Sequence, residues 1–480
     1  VKYDQAGDSN YNAATQVTES VAAQKANQTI TFGALANKTF GDPDFTVSAT
    51  ASSSLTVSLT ASGQCAVSGN TVHLTGTGSC TITASQVGDS NYNGAASVNQ
   101  SFTISLTIQF EQATYNVTED VTFTTVTVIR TGDTSGAATV NYATTDGTAS
   151  ERSDYTTAVG TLRFAAGEAS KTIVLLISED SYVEGPETFS VVLSNPVGAT
   201  LGSPATATVK ITDDVSEPPT NAIDDTPIFV GQHYHDFLNR QADTSGFNFW
   251  TNEIASCGTT QACIELKRIN VSAAFFLSIE FQQTGYLIYR TYKSAYGNLP
   301  GAPVPLRLNE FTPDTQQIQQ GVVVGVGDWQ TQLETNKNAF ALDFVKRPRF
   351  NTAYPATLTP AQFVDGLYAN TGVTPSPTER SAAIGEFGAG NTSADPSARA
   401  RVLRRVAENS TFAQQEFNRA FVLMQYFGYL RRDPNAAPDS DFSGYNFWLG
   451  KLNQFNGNFV NAEMVKAFLV STEYRRRFGP

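Results

Sequence analysis

Histidine is nearly missing from this chain: three among 480 residues. His73 stands alone, and His233 and His235 are two apart. That leaves little material for histidine-based acid–base catalysis or a histidine-rich zinc site. Side chains two apart on a helix point to different sides, so His233 and His235 read as ordinary surface residues rather than a metal pair. Cysteine is as sparse, with four residues and no CxxC spacing. Charged residues make up only 16% of the chain. No apolar run approaches the roughly 18 residues that cross a bilayer, and no signal-peptide pattern is visible. The motifs GxSxG, HExxH, P-loop and GxGxxG do not occur in a supporting context. The Gly-rich "GVVVGVGDW" at 321–329 lacks the strand–loop–helix setting of a phosphate loop. The chain therefore reads as not an enzyme. It opens at Val1 without a start methionine and is expected to be a fragment of a longer protein.

What is present is unevenly spread. Residues 1–216 hold 8 Lys and Arg against 20 Asp and Glu, whereas residues 217–480 hold 23 against 24. An acidic front half repels phosphates and argues against a nucleic-acid partner. The terminal "RRRF" reads as a solvated helix end. The cysteines form two local pairs. Cys65 and Cys80 flank an expected hairpin, and Cys257 and Cys263 flank a short loop. An even count in local pairs favours two disulfides and an oxidising, extracellular setting.

"GDSNYNAA" at 7–14 returns as "GDSNYNGAA" at 88–96, a spacing of one sandwich module. Residues 1–25 are thus expected to be the end of a preceding copy, and residues 26–105 a full one. "FTVSATA", "LTVSLTA" and "CTITAS" alternate with period two, as half-buried strands do. "GDSNYN" reads as an Asx turn rather than a cation loop. With "QTITFGALANKTFGDPDF" and "CTITASQVGDSNYNGAA", this module resembles bacterial immunoglobulin-like modules of the MBG type.

Residues 106–214 form a second β module, read as a seven-stranded Greek-key sandwich. It carries 14 acids against 5 bases, and the acids cluster at its turns. Carboxylates gathered where strand ends meet are hard oxygen donors, the set that calcium prefers. The ordered segments "NYATTDGTASERSDY", "GTLRFAAGEASKTIVLLISED", "VEGPETFSVVLSNP" and "TVKITDD" resemble the Calx-beta domain, a calcium-binding sandwich. Carried onto this chain, the resemblance implies calcium ligands at Glu119, Asp154, Glu179, Asp180, Glu184, Glu187, Asp213 and Asp214. Ser181 and Val215 stand where the most calcium-avid members continue their acidic runs, which implies fewer or weaker ions here.

Residues 215–227 read as a linker, and the pattern beyond them turns helical. Thr226–Pro227 and Thr359–Pro360 read as N-caps followed by proline at the first helical position. Ser376 with Glu379 fits a capping box. Phe229-Val230, Leu287-Ile288, Phe363-Val364 and Phe421-Val422 each precede a tyrosine four residues on: Tyr234, Tyr292, Tyr368 and Tyr426. "DTSGFNFW" at 243–250 recurs as "DFSGYNFW" at 441–448, and "SIEF" at 278–281 as "STEY" at 471–474. Residues 228–480 are read as an α-helical domain of four degenerate units, the outer two matching best. "DSDFSG" at 439–444 imitates an EF-hand start, but Gly450 occupies the position of the bidentate glutamate, so a helix cap is expected. "FVGQHYHDFLNRQADTSGFNFW" and "INVSAAFFLSIEFQQTGYLIYRTYKSAYG" resemble the domain-of-unknown-function 4214 family, whose members occur in secreted and surface-layer-associated bacterial proteins.

The fold class expected is therefore two all-β sandwiches followed by an all-α repeat domain. The function expected is a non-catalytic, calcium-binding stalk on the cell surface or outside the cell. It would present a helical interaction domain to an unknown protein or polysaccharide. The rivals are the accessory region of a secreted enzyme and a polysaccharide-binding module built on exposed helical aromatics.

Overall fold

The computed structural model describes residues 1–132, 134–213 and 219–480. Its front is β-rich and its back all-α, as expected. In the first module the sheet Lys38–Thr39, Val98–Ser105, Gly78–Ser85, Ser58–Gly63 faces shorter strands, among them the hairpin Cys65–Ser68 and Thr71–Leu74. Alternate residues such as Cys80, Ile82 and Ala84 point into its core. Both copies of "GDSNYN" are Asx turns. Asp8 Oδ1 accepts from the amides of Asn10 and Tyr11, and Asp89 Oδ1 from those of Asn91 and Tyr92.

Cys65 and Cys80 are bonded, with Cα atoms 5.6 Å apart, but the bond does not cross the hairpin. Cys65 pairs with Leu74 there, whereas Cys80 lies opposite Gly63 in the other sheet. The disulfide therefore staples sheet to sheet. With 15 residues of sequence separation, its chain-entropy contribution is about 3 kcal/mol. Reduction is expected to lower the melting transition of this module and leave that of the second sandwich in place, as read by scanning calorimetry. An unmoved first transition would refute it.

The second module is a sandwich of two five-stranded sheets. One runs Tyr155–Thr156, Ser170–Ile177, Phe123–Thr131, Thr107–Phe110, Thr200–Leu201. The other runs Thr114–Thr118, Thr206–Thr212, Glu187–Val197, Ala138–Thr145, Val159–Phe164. What the sequence suggested was one long strand over 107–119 is two. Thr107–Phe110 pairs antiparallel with Phe123–Thr131, and Thr114–Thr118 pairs parallel with Thr206–Thr212 in the opposite sheet. The chain changes sheets at 111–113, and each half buries its own alternate residues: Ile108 and Phe110, then Val117.

The second half of the segment read as a linker is packed. Asn221, Ala222 and Ile223 are buried, and the latter two belong to the helical core. The helix that follows spans Thr226–Leu238, with Asp225 rather than Thr226 as its cap: its carboxylate accepts from the Ile228 amide. Thr359 and Ser376 cap as expected, each in a capping box, with Gln362 and Glu379. In the "DSDFSG" loop, Asp441 accepts from the Ser443 amide at the start of the helix Ser443–Gln454.

Phe229, Ile288, Phe363, Phe421 and the four repeat tyrosines are all buried in one core. The outer units share a further constellation. In the first, Arg240 lies over the Tyr234 ring and holds Glu280 with two hydrogen bonds of 2.8 and 3.0 Å. In the second, Arg432 lies over Tyr426 and holds Glu473 at 2.6 and 2.9 Å. The glutamates are those of "SIEF" and "STEY", which explains why these short motifs recur.

His233 and His235 are not surface residues; they are 0% and 3% exposed. The helix that carries them is enclosed on more than one side, so residues two apart are both covered. His233 bonds the Phe229 carbonyl and the Ser272 hydroxyl, each at 2.7 Å. Burial pushes both imidazoles down to about 4. The terminal arginine run also departs from expectation, because Arg477 is 4% exposed.

Candidate metal centre

One pole of the second sandwich collects the acids, and each arrives by a different element. Glu119 opens the short turn Glu119–Val121 after the strand Thr114–Thr118. Asp154 ends the loop before Tyr155–Thr156. Asp180 follows the strand Ser170–Ile177, Glu187 opens the strand Glu187–Val197, and Asp213 follows Thr206–Thr212. Strand ends meet at the poles of a sandwich, so acids 94 positions apart in sequence, Glu119 and Asp213, become neighbours.

Oxygens of Asp154, Asp180 and Glu184 all lie within 4.8 Å of one another. Calcium holds its oxygens at 2.3–2.6 Å, so two ligands on opposite sides are about 5 Å apart. The three carboxylates are thus within the span of a single ion. Glu119 and Asp180 are buried, at 7% and 2% exposure, while Glu184 is open to solvent. Glu119 Oε1 accepts from the Asp180 amide at 3.0 Å, and Asp213 Oδ2 accepts from the Glu184 amide at 2.7 Å. Asp180 Oδ1 turns the loop by accepting from the Tyr182 amide, and Asp154 Oδ2 accepts from the Ser150 amide.

Electrostatics tie in the remaining residues. Burial, then the charges of Asp180 and Glu179, push Glu119 up to about 9. Burial, a hydrogen bond to Asp154 and the charges around it push Glu187 up to about 8. Burial, Asp154 and Asp213 push Glu184 up as well. Among the described residues, the charged neighbours acting most on these three glutamates are carboxylates. Seven of the eight expected ligands are therefore brought to one pole. The eighth, Asp214, lies outside the described residues, as does Val215. An all-carboxylate donor set of this spacing, with Glu119, Glu184 and Glu187 raised by burial and by neighbouring charges, fits a hard divalent cation.

A pH dependence follows. A carboxyl whose folded-state value is raised stabilises the fold when protonated, below its unfolded value, and that stability is lost as pH rises through 8 to 9. The calcium-free sandwich is expected to melt progressively lower between about pH 6.5 and about pH 9, a window in which the buried histidines stay neutral. Calcium should flatten the slope. A calcium-free transition that rises over this window in calorimetry would contradict the clustering.

Sequence reasoning missed two supports. Asp146 accepts from the Glu151 amide at 3.0 Å and from the Tyr155 hydroxyl, fixing the loop that carries Asp154. The turn signal "TTDG" marked it. It also missed the seat of the pole, which is pressed onto the helical region. The Ser181 hydroxyl donates to the Thr220 carbonyl at 2.8 Å, and the Tyr182 hydroxyl to the Arg476 carbonyl at 3.2 Å. Arg152 pairs with Glu473 at 2.9 Å. Nearby, the edge strand Val159–Phe164 is covered by Gln316, whose amide bonds the Val159 N–H and the Thr157 carbonyl as a neighbouring strand would.

The second module is thus a β-sandwich with a cluster of carboxylates at one pole. Residues 103–215 match the Calx-beta domain model, and this segment is a Calx-beta domain. Residues 221–284 match the model of DUF4214, a domain of unknown function, which covers the first outer helical unit. Neither match reaches residues 1–102. Mouse extracellular matrix organizing protein FRAS1 is 39% identical over 116 residues, covering 23% of this chain and 3% of that protein. Dog sodium/calcium exchanger 1 is 39% identical over 126 residues, covering 22% and 13%. The chain thus spans a small fraction of the length of these relatives. Among solved structures, the apo-form Calx CBD1 domain is 37% identical, covering 23% of this chain and 98% of that one, with a TM-score of 0.23. The calcium binding domain CBD12 of CALX1.1 is 38% identical, covering 22% and 45%, with a TM-score of 0.22. No helix among the described residues is long and apolar enough to cross a membrane.

Proposed function

We propose that this chain is a non-catalytic modular protein of the cell exterior, in which a calcium-binding sandwich orients a helical interaction domain. The observation that carries the reading is the convergence of Asp154, Asp180 and Glu184 within 4.8 Å. Glu119 and Glu187 beside them are raised by burial and by the same negative charges. Calcium would replace that repulsion with attraction. Asp154, Asp180 and Glu184 would hold it, with Glu119, Glu187 and Asp213 as the oxygens next in reach. Asp214 is proposed as a further ligand on the Calx-beta resemblance alone.

The residues between and beside these acids dock the helical region, so calcium would stiffen a joint rather than a free end. Ser181, where a more acidic relative would place another ligand, here bonds Thr220. The two disulfides support an oxidising location. The partner proposed for the helical domain is a surface protein or polysaccharide.

Isothermal titration calorimetry of the whole chain with calcium tests the reading. Saturable binding is expected, lost when Asp154→Asn is combined with Asp180→Asn. Unchanged binding in that double variant would move the site elsewhere.

A further inference from the structure

The helical region contains a cleft of about 930 Å³ between the helices Gly285–Tyr296, Trp329–Phe344, Pro396–Ala407, Ser410–Gly428 and Ser443–Gln454. It shares no residue with the calcium pole. Its walls are polar. Four cations line it, Arg290, Lys337, Arg404 and Arg419, against two carboxylates, Glu334 and Glu408.

Most of these charges are spoken for. Lys337 reaches Glu334 at 3.0 Å and Glu408 at 3.7 Å. Arg404 pairs with the same two acids at 2.9 and 2.8 Å, and Arg419 with Glu416 at 3.3 Å. Arg290 is the surplus. Its Nε donates to the Ala407 carbonyl at 2.7 Å, and among the described residues it has no ion pair. Beside it, Tyr286 is 1% exposed and stacks on Phe417 with ring centres 5.4 Å apart. Its hydroxyl has no hydrogen-bond partner among the described residues. A buried tyrosine hydroxyl ordinarily finds one. A guanidinium without an ion pair next to a phenol without a hydrogen-bond partner, among the described residues, is a pair of donors with room for an acceptor.

We propose that this cleft binds an acidic sugar of the uronate type, its carboxylate taken by Arg290 and the Tyr286 hydroxyl. One surplus guanidinium matches one carboxylate, with which it forms charge-assisted hydrogen bonds. The amides of Gln414 and Asn456 on the walls both donate and accept, as neighbouring sugar hydroxyls require. An apolar ligand is disfavoured, because such sites are lined chiefly by hydrophobic side chains. A divalent cation is disfavoured by the positive lining. A second cleft, which shares Arg404 and Glu408 and adds Glu386 with Arg401 and Arg405, both paired to it, continues the surface. The ligand is accordingly an oligosaccharide rather than a single sugar.

The test is titration calorimetry of the full chain with trigalacturonate and with neutral maltotriose, all in EDTA so that calcium plays no part. Trigalacturonate is expected to bind, and maltotriose to bind at least about tenfold more weakly, in line with loss of a charge-assisted hydrogen bond. Arg290→Gln should lose about tenfold or more in affinity. Tyr286→Phe should lower affinity without lowering the melting temperature, since it deletes a hydroxyl that the protein itself leaves unsatisfied. Equal binding of maltotriose, unchanged affinity in Tyr286→Phe, sulfate competing as well as the sugar, or no trigalacturonate binding would each overturn the proposal. Because calcium is chelated, such a failure is distinct from failure of the calcium reading.

Discussion

Replacing Arg477 by methionine is expected to destabilise the helical region by about 3–5 kcal/mol, the usual penalty for breaking a buried ion pair from one side. Its guanidinium donates to both oxygens of Asp236 at 2.9 Å and to the Tyr429 carbonyl at 2.9 Å. The side chains of this pair are 4% and 1% exposed. Without Arg477 the Asp236 carboxylate stays in the core with Gln232 as its remaining hydrogen-bond donor among the described residues. Pairing Arg477→Met with Asp236→Leu should recover most of the loss, since both charges then leave together. Urea unfolding of the single and double variants measures this. A single-variant loss below about 1 kcal/mol, the range of exposed pairs, would contradict the buried-pair account. Arg477 Nε also donates to the Arg152 carbonyl at 2.7 Å, two residues before Asp154. The same substitution is therefore expected to weaken calcium binding as well.

Calcium itself should have the other large effect. A ligand that binds only the folded state at a thousand times its dissociation constant adds about 4 kcal/mol. Calcium-free, the pole holds Glu119 and Glu187 beside Asp154, Asp180 and Asp213, and this repulsion is built into the fold. Asp154→Ala with Asp180→Ala should thus do two opposite things. It should abolish the gain from calcium and raise the stability of the calcium-free sandwich. A double variant that is less stable in EDTA than the parent would show that these acids support the fold rather than strain it.

The sandwich was legible because period-two alternation and acidic turns are local. The caps at Thr359 and Ser376 were legible for the same reason, each being complete within four residues. The change of sheet at 111–113 was hidden, because alternation runs on through the bend and does not reveal which sheet each half joins. His233 and His235 misled because a two-residue offset separates helix faces only when one face is exposed. "RRRF" read as solvated because its partner, Asp236, is 241 positions away. The docking of the acidic pole on the helical region was illegible on the same ground: Arg152 and Glu473 are 321 positions apart. The acids were visible one by one, and the Calx-beta resemblance supplied their convergence, which turn composition alone did not fix.

Scanning calorimetry of the whole chain, first in EDTA and then with millimolar calcium or magnesium, addresses the calcium site most directly. The sandwich transition should rise with calcium, should not rise with magnesium, and should stay fixed under both in Asp154→Ala with Asp180→Ala. A transition that does not move at any calcium concentration would contradict the calcium site and leave the sandwich as a passive spacer.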